Sequence, residues 1–266
     1  MLSKLENGCE VARIHPLDLG KVELGVDNPV SDDGQAESIP LCAYLFETAS
    51  GWVLFDTGAD PQGMSGNYPP EFRKNPTITS EHALLDKLRF FGLTPSDISC
   101  VVMSHLHLDH AGGLRFFPSA QTYVNADELE SVLNLYNANS PTGPYMKTDI
   151  ESWQDAHINW ISVPSDCEAV PIDSDISIIS FGSGHSFGSL CLLVNTDSDG
   201  KYLFVADAIY STAHIEPELI VPGTTYDKTG YRNTVTRLLA IAEEERAEIV
   251  FGHDSEQFTQ LSERFI

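Results

Sequence analysis

Apolar residues first gather without interruption at 41–46 (LCAYLF) and again at 52–55 (WVLF), with Ser50-Gly51 between them. Short apolar runs bounded by turn residues mark strands, and two so close together predict a hairpin. The second run ends in Asp56-Thr57-Gly58. From 59 to 79 the periodicity is lost among Gly, Pro and Asn, with Met64, Tyr68 and Phe72 interspersed, which predicts a long loop of the kind that often carries function. Helical spacing returns at Leu84, Leu85, Leu88 and Phe91, with Ser80 as the expected N-cap, Glu81 in the first turn and Gly92 as the stop. A strand at 100–103 (CVVM) runs straight into Ser104-His105. Asn125, three residues before Glu128, predicts a capping box for a helix whose apolar face is Leu129, Val132 and Leu133. A second irregular segment spans 136–157. Strands are then expected at 158–163, 176–181, 190–194 and 202–205, followed by a helix over 232–246 with Val235, Leu238, Leu239 and Ala242 on one face and a short strand at 248–251.

Two strand-rich halves, each carrying helices, predict a layered α/β sandwich with the sheets inside and the helices outside. The chain of 266 residues is 42% hydrophobic, enough for a substantial core, and is expected to form a single domain over 1–266. Charge narrows the range of partners. With 39 acidic against 15 basic residues the formal net charge is −24, and no basic run offers the counterion-releasing contacts that nucleic acid requires. The acidity describes a solvated, self-repelling surface. Cys9, Cys42, Cys100, Cys167 and Cys191 are scattered and never form a C-x-x-C pair, so they are expected to be reduced core residues, not disulfides or thiolate ligands. No window approaches the ~18 apolar residues of a membrane span, and the start of the chain lacks a signal-peptide pattern. The expected location is the cytoplasm.

The stretch Ser104-His-Leu-His-Leu-Asp-His-Ala-Gly-Gly113 places three imidazoles and a carboxylate within six residues, directly after an apolar strand. Packing alone does not explain that density. On an extended segment His105 and His107 point the same way and can reach one ion. Asp109 and His110 fall in the following turn, placed for a second ion, and Ala111-Gly112-Gly113 allows close backbone approach. Three further ligand-type residues follow apolar strands: His185, Asp207 and His253. Ligands presented from several strand ends suit a rigid site. Imidazole with carboxylate and no thiolate suits zinc, and leaves cobalt, manganese or iron open.

This pattern, His-x-His-x-Asp-His followed by distant His, Asp and His, resembles the metallo-β-lactamase superfamily from about Leu41 onward. The resemblance implies an αββα sandwich of two central mixed sheets flanked by helices, and a dinuclear centre of two divalent ions. One ion would be held by His105, His107 and His185 and the other by Asp109, His110 and His253, with Asp207 between them and Asp56 supporting the site from behind. Within the superfamily the chain is most similar to the N-acyl homoserine lactonases, through Asp207-Ala-Ile-Tyr210 and the ending Phe251-Gly-His-Asp-Ser-Glu-Gln257.

That narrower likeness implies a quorum-quenching hydrolase that opens a lactone ring by attack of a hydroxide shared by the two ions. Tyr210 would stabilise the oxyanion and Asp109 would shuttle the proton. It also implies a small-molecule lactone substrate and a homodimer. Met64, Tyr68, Phe72, Tyr145, Met146 and Trp153 are expected to wall an acyl groove. One departure bears on substrate preference: Gly184-His-Ser-Phe-Gly-Ser189 stands where relatives often carry Gly-His-Ser-Pro-Gly-His, which predicts a reshaped loop. The rivals on the same fold are hydrolases of a simple γ-lactone or a glutathione thioester. A di-iron redox protein is disfavoured by His107, where that branch carries Glu, and a metal-free binding module by the complete ligand set.

Overall fold

Uninterrupted apolar runs fit strands that are covered on both faces, and the chain builds two sheets from them. The structure is a computed structural model describing residues 12–24, 37–73, 76–78, 82–196 and 200–265. Cys9, Ser80 and Glu81 lie outside the described residues. The first sheet has six strands in sequence order: β1 (Arg13–Leu24), β2 (Glu37–Thr48), β3 (Gly51–Phe55), β4 (Ile98–Val102), β5 (Gln121–Asn125) and β6 (Asn159–Val163). Its first two pairings are antiparallel and the other three parallel. The second sheet contains β7 (Val170–Pro171), β8 (Ile176–Phe181), β9 (Ser189–Thr196), β10 (Gly200–Ala206) and β11 (Ala247–Phe251), in the order β11-β10-β9-β8-β7. Only β10 and β11 are parallel there.

The period-two alternation of strands sorts the apolar residues into three layers. Tyr44, Phe46, Val53, Phe55 and Val102 meet Ile176, Ile178, Leu192, Val194, Tyr202 and Phe204 between the sheets. Their neighbours Ala43, Leu45, Leu54 and Val101 face outward, where α1 (Leu84–Phe90), α3 (Ala126–Asn137) and α4 (Lys147–Ala156) cover them with Leu84, Leu88, Leu129, Val132, Ile150 and Trp153. On the far side α5 (Lys228–Glu245) packs Val235, Leu238 and Ala242 onto Ile179, Leu203 and Val205. The result is the expected αββα sandwich. The remaining helices are a four-residue α2 (Leu108–Ala111) and the C-terminal α6 (Ser255–Arg264).

Several elements were not expected from the pattern, namely β1, β5, β7, α4 and α6. β1 lies at the sheet edge, where Pro16 is tolerated and a register shift between Asp18 and Lys21 breaks the alternation that would have revealed it. α4 occupies the second half of the 136–157 segment, and α6 follows β11. α5 begins at Lys228, capped by the Asp227 side chain on the Thr229 and Gly230 amides, and Leu239 on its expected inner face is 40% exposed. Within 59–79 the described residues are irregular, with short helical turns at Gly63–Asn67 and Pro70–Phe72. Cys42, Cys100, Cys167 and Cys191 are free thiols; Cys42 and Cys167 are only half-buried. No helix among the described residues is long and apolar enough to cross a membrane.

Candidate metal centre

Five strands deliver polar residues to one edge of the sandwich, at their carboxyl ends. Asp56 follows β3, Ser104-His105 follows β4, His185 lies in the turn between β8 and β9, Asp207 follows β10 and His253 follows β11. Asp56 and Ala206 sit in left-handed backbone (φ 62° and 44°), an unfavourable conformation for non-glycine residues that clusters at functional sites. His107 is the residue before α2, and Asp109 and His110 lie within it. Gly112 explains why this turn can lie so low: its N–H bonds Gly58 O at 2.8 Å, and a Cβ there would come within 2.1 Å of the Asp60 nitrogen.

The seven ligand-type residues converge into two clusters, His105–His107–His185 and Asp109–His110–Asp207–His253, with the ligand atoms of each all within 4.8 Å of one another. Asp207 reaches both. Its Oδ2 lies 3.2 Å from His185 Nε2, while its Oδ1 lies 3.1 Å from His110 Nε2 and 3.0 Å from His253 Nε2. In the first cluster His107 Nδ1 and His185 Nε2 are 3.0 Å apart. Asp109 Oδ2 stands at 3.7 and 3.8 Å from His110 and His253. His105 Nε2 is buried with no hydrogen-bond partner among the described residues, and His110 Nε2 and Asp207 Oδ1, though close, do not meet in hydrogen-bond geometry. Buried polar atoms are almost always satisfied, so inward-facing nitrogen and carboxylate atoms left open fit divalent cations.

The outward nitrogens are held from behind. His110 Nδ1 is 2.8 Å from Asp56 Oδ2, and Asp56 also accepts the Ser104 N–H at 2.8 Å and its hydroxyl at 2.7 Å. Ser104 Oγ lies 3.0 Å from His105 Nδ1, and His253 Nδ1 lies 2.9 Å from the Pro40 carbonyl. Such partners fix ring orientation and the tautomer that presents a lone pair inward.

Burial, with neighbouring imidazoles, drives the pKa of His105 and His107 well below the usual histidine value. His185 is likewise lowered by burial, so this cluster offers neutral ligands. The other cluster behaves oppositely. Burial again disfavours charge on His110 and His253, but Asp207 and Asp109 outweigh it and raise both. Burial raises Asp207, yet the facing histidines overcome this and hold its carboxyl well below the usual range.

A cavity of about 360 Å³ opens over the clusters, with His107, Asp109, His185, Asp207, Tyr210 and His253 at its base and Val22, Ile39, Met64, Phe72 and Leu108 among its walls. That volume suits a small ligand. Tyr210 packs its buried ring beside His185, His253 and His214, and its hydroxyl is 2.9 Å from Thr224 Oγ1. A second hollow of about 250 Å³ shares His107, His185, Pro144 and Thr224 with the first and is walled by Tyr145, Phe187 and Tyr226. Here the sequence departure is visible, because Phe187 stacks on Tyr145 at 5.4 Å and meets Tyr226 at 4.6 Å.

Three expected wall residues are placed elsewhere. Tyr68 turns its hydroxyl to Asp149 at 2.7 Å, Trp153 donates to the Ala111 carbonyl at 3.1 Å, and Met146 is buried in the core under α3 and α4. Each anchors or packs its own segment. His214 is fully buried against Tyr210. Glu128 makes no capping-box bond: the N-terminus of α3 is capped by the Asn125 side chain on the Asp127 and Glu128 amides, and the Glu128 carboxylate faces the two histidine-bearing loops. The spacing that suggested a cap concealed this role.

A sequence profile described as the metallo-beta-lactamase superfamily matches residues 43–130, which include the first ligand run. N-acyl homoserine lactonase AiiB of Agrobacterium fabrum is 36% identical over 227 residues, covering 84% of this chain and 82% of the relative. N-acyl homoserine lactonase AiiA of Bacillus thuringiensis subsp. kurstaki is 30% identical over 235 residues, covering 86% and 87%. A solved N-acyl homoserine lactone hydrolase with the product N-hexanoyl-L-homoserine at its catalytic metal center superposes with a TM-score of 0.80 at 27% identity, over 94% of this chain and 96% of that one. Fold, ligand run and profile together define a metallo-β-lactamase fold carrying a site for two divalent metal ions. Within that superfamily the chain belongs to the N-acyl homoserine lactonase family.

Proposed function

We propose that the protein is a metal-dependent hydrolase that opens the lactone ring of N-acyl homoserine lactones. His105, His107 and His185 hold one ion, Asp109, His110 and His253 the other, and Asp207 stands between them. The observation that carries this reading is the Asp207 carboxylate, which reaches from one ligand cluster to the other at the base of an apolar cavity. Zinc is the proposed metal, since among the described residues the donors are imidazole and carboxylate without a thiolate.

Two such ions would lower the pKa of a water and polarise a carbonyl oxygen. The chain supplies the rest. Burial and then the Asp207 charge hold the Tyr210 phenol well above its usual pKa, so it stays a donor and can stabilise the carbonyl oxygen as negative charge develops there. Asp109, the least buried of the ligand residues, takes the proton of the attacking water and delivers it to the leaving ring oxygen. Val22, Ile39, Met64, Phe72 and Leu108 receive the acyl chain and keep water from that side of the ring.

The test compares N-acyl homoserine lactones of varied acyl length, simple γ-lactones and glutathione thioesters on metal-replete protein. Faster turnover of acyl homoserine lactones is expected, with dependence on chain length. Equal turnover of a γ-lactone without the amide, or faster turnover of a thioester, would overturn the substrate assignment.

A further inference from the structure

Glu128 is fully buried on the first turn of α3 and forms no ion pair among the described residues. An ionised carboxylate is costly to bury unless its oxygens are satisfied. Here Oε1 accepts the Leu106 N–H at 2.9 Å, and Oε2 accepts the Phe187 N–H at 2.9 Å, the Gly188 N–H at 3.3 Å and the Tyr145 hydroxyl at 3.3 Å. Leu106 lies between His105 and His107, and Phe187 and Gly188 follow His185 with only Ser186 between. The two oxygens of one side chain therefore grip the two loops that carry the three-histidine cluster, and Tyr145 adds its ring against His107 at 4.8 Å.

The grip is itself anchored. Asn125 caps α3 through Oδ1, while its Nδ2 donates to Ser180 Oγ and the Phe181 carbonyl at the end of β8, the strand that leads to His185. Phe187 contributes an N–H that a proline at this position would not have to give. Two accepting oxygens serve both loops, whereas a glutamine turns an amide donor toward one of them.

We propose that Glu128 is a positioning residue for the three-histidine cluster: its carboxylate ties the His105–His107 loop to the His185 loop and sets the spacing of their imidazoles. The inference rests on the metal-site reading above. Outer partners of metal ligands change affinity by about 10- to 100-fold, and Glu128 acts through the backbone, so the low end applies.

The experiment titrates metal-free wild type, Glu128→Gln and Glu128→Asp with Co²⁺, following visible absorption and ion stoichiometry, and measures amide exchange at Leu106, Phe187 and Gly188 before metal is added. For Glu128→Gln we expect one of two ions to bind about tenfold more weakly, the other to bind unchanged, and exchange to quicken at those amides. Glu128→Asp keeps the charge but is a methylene shorter, and should weaken the same ion. Full recovery by Asp would show that charge, not reach, matters and would overturn the proposal, as would wild-type affinity for both ions in Glu128→Gln. Should the glutamine variant not fold, Tyr145→Phe removes one donor from the carboxylate and should weaken the same ion about two- to tenfold; unchanged binding there overturns the proposal as well. A wild type that takes up no Co²⁺ at the three histidines would instead defeat the metal-site reading itself.

Discussion

Replacing Tyr210 by phenylalanine removes one donor from the cavity and leaves almost everything else in place. The ring stays buried between His185 at 5.6 Å and His253 at 5.1 Å, so packing is preserved. Among the described residues the lost hydroxyl bonds only Thr224 Oγ1, at 2.9 Å, and Thr224 is exposed and can turn to water. Folding should therefore lose at most about 0.5–1.5 kcal/mol. A single well-aligned oxyanion donor contributes roughly 2.7–4 kcal/mol to catalysis, but a neighbouring cation already neutralises part of the developing charge. The expected loss is about 1–3 kcal/mol, or roughly 5- to 150-fold in kcat. KM should barely move, because the donor acts on charge that appears only in the transition state. The assay is steady-state hydrolysis of an N-acyl homoserine lactone beside elemental analysis of the same preparation, in which two ions per chain should remain. Hydrolysis at the wild-type rate with full metal would make Tyr210 a packing residue and refute the reasoning.

Asp207→Ala removes the group that reaches both clusters, so purified protein should carry fewer than two ions per chain; normal occupancy would remove Asp207 from its place between them. Gly112→Ala drives a Cβ to within 2.1 Å of the Asp60 nitrogen and 2.7 Å of the Ala59 carbonyl carbon, backbone atoms that cannot swing aside. Overpacking of this kind costs about 1–3 kcal/mol, and an unchanged denaturation midpoint would contradict it. The raised pKa values of His110 and His253 mean that metal must displace their protons. Affinity should therefore climb with pH until those histidines have titrated, and calorimetry at neutral pH in buffers of different ionisation enthalpy should show net proton release; identical heats would contradict the assignment.

The centre was legible because its ligands interrupt apolar strands. Strands covered on both faces carry little charge, with Lys201 and Glu248 confined to the far ends of β10 and β11, so His105, His185, Asp207 and His253 stand out where β4, β8, β10 and β11 end. The same logic exposes the αββα layering, since Leu45 and Phe46 or Leu203 and Phe204 must each find a different covering. Elements with weaker patterns escaped. β1 breaks its alternation at a bulge, and α4 buries only Asp149, Ile150 and Trp153 among ten residues. Tyr68 and Trp153 looked like cavity walls because an aromatic in an irregular segment gives no sign of which way it faces. Their hydrogen bonds to Asp149 and the Ala111 carbonyl are long-range contacts that local sequence does not encode. Glu128 misled for a related reason, since the spacing that makes a capping box also places a carboxylate where two distant loops meet.

The central claim is that the paired clusters hold metal that opens a lactone. It is tested most directly by incubating one preparation with an N-acyl homoserine lactone in three states: as purified with its metal content measured, stripped by a strong chelator, and reconstituted with Zn²⁺. Mass spectrometry then follows the gain of one water. The account predicts the ring-opened N-acyl homoserine from the first and third samples and only its slow spontaneous formation in the second. Undiminished ring opening by protein shown to contain no metal, or none by protein carrying two ions per chain, would contradict it.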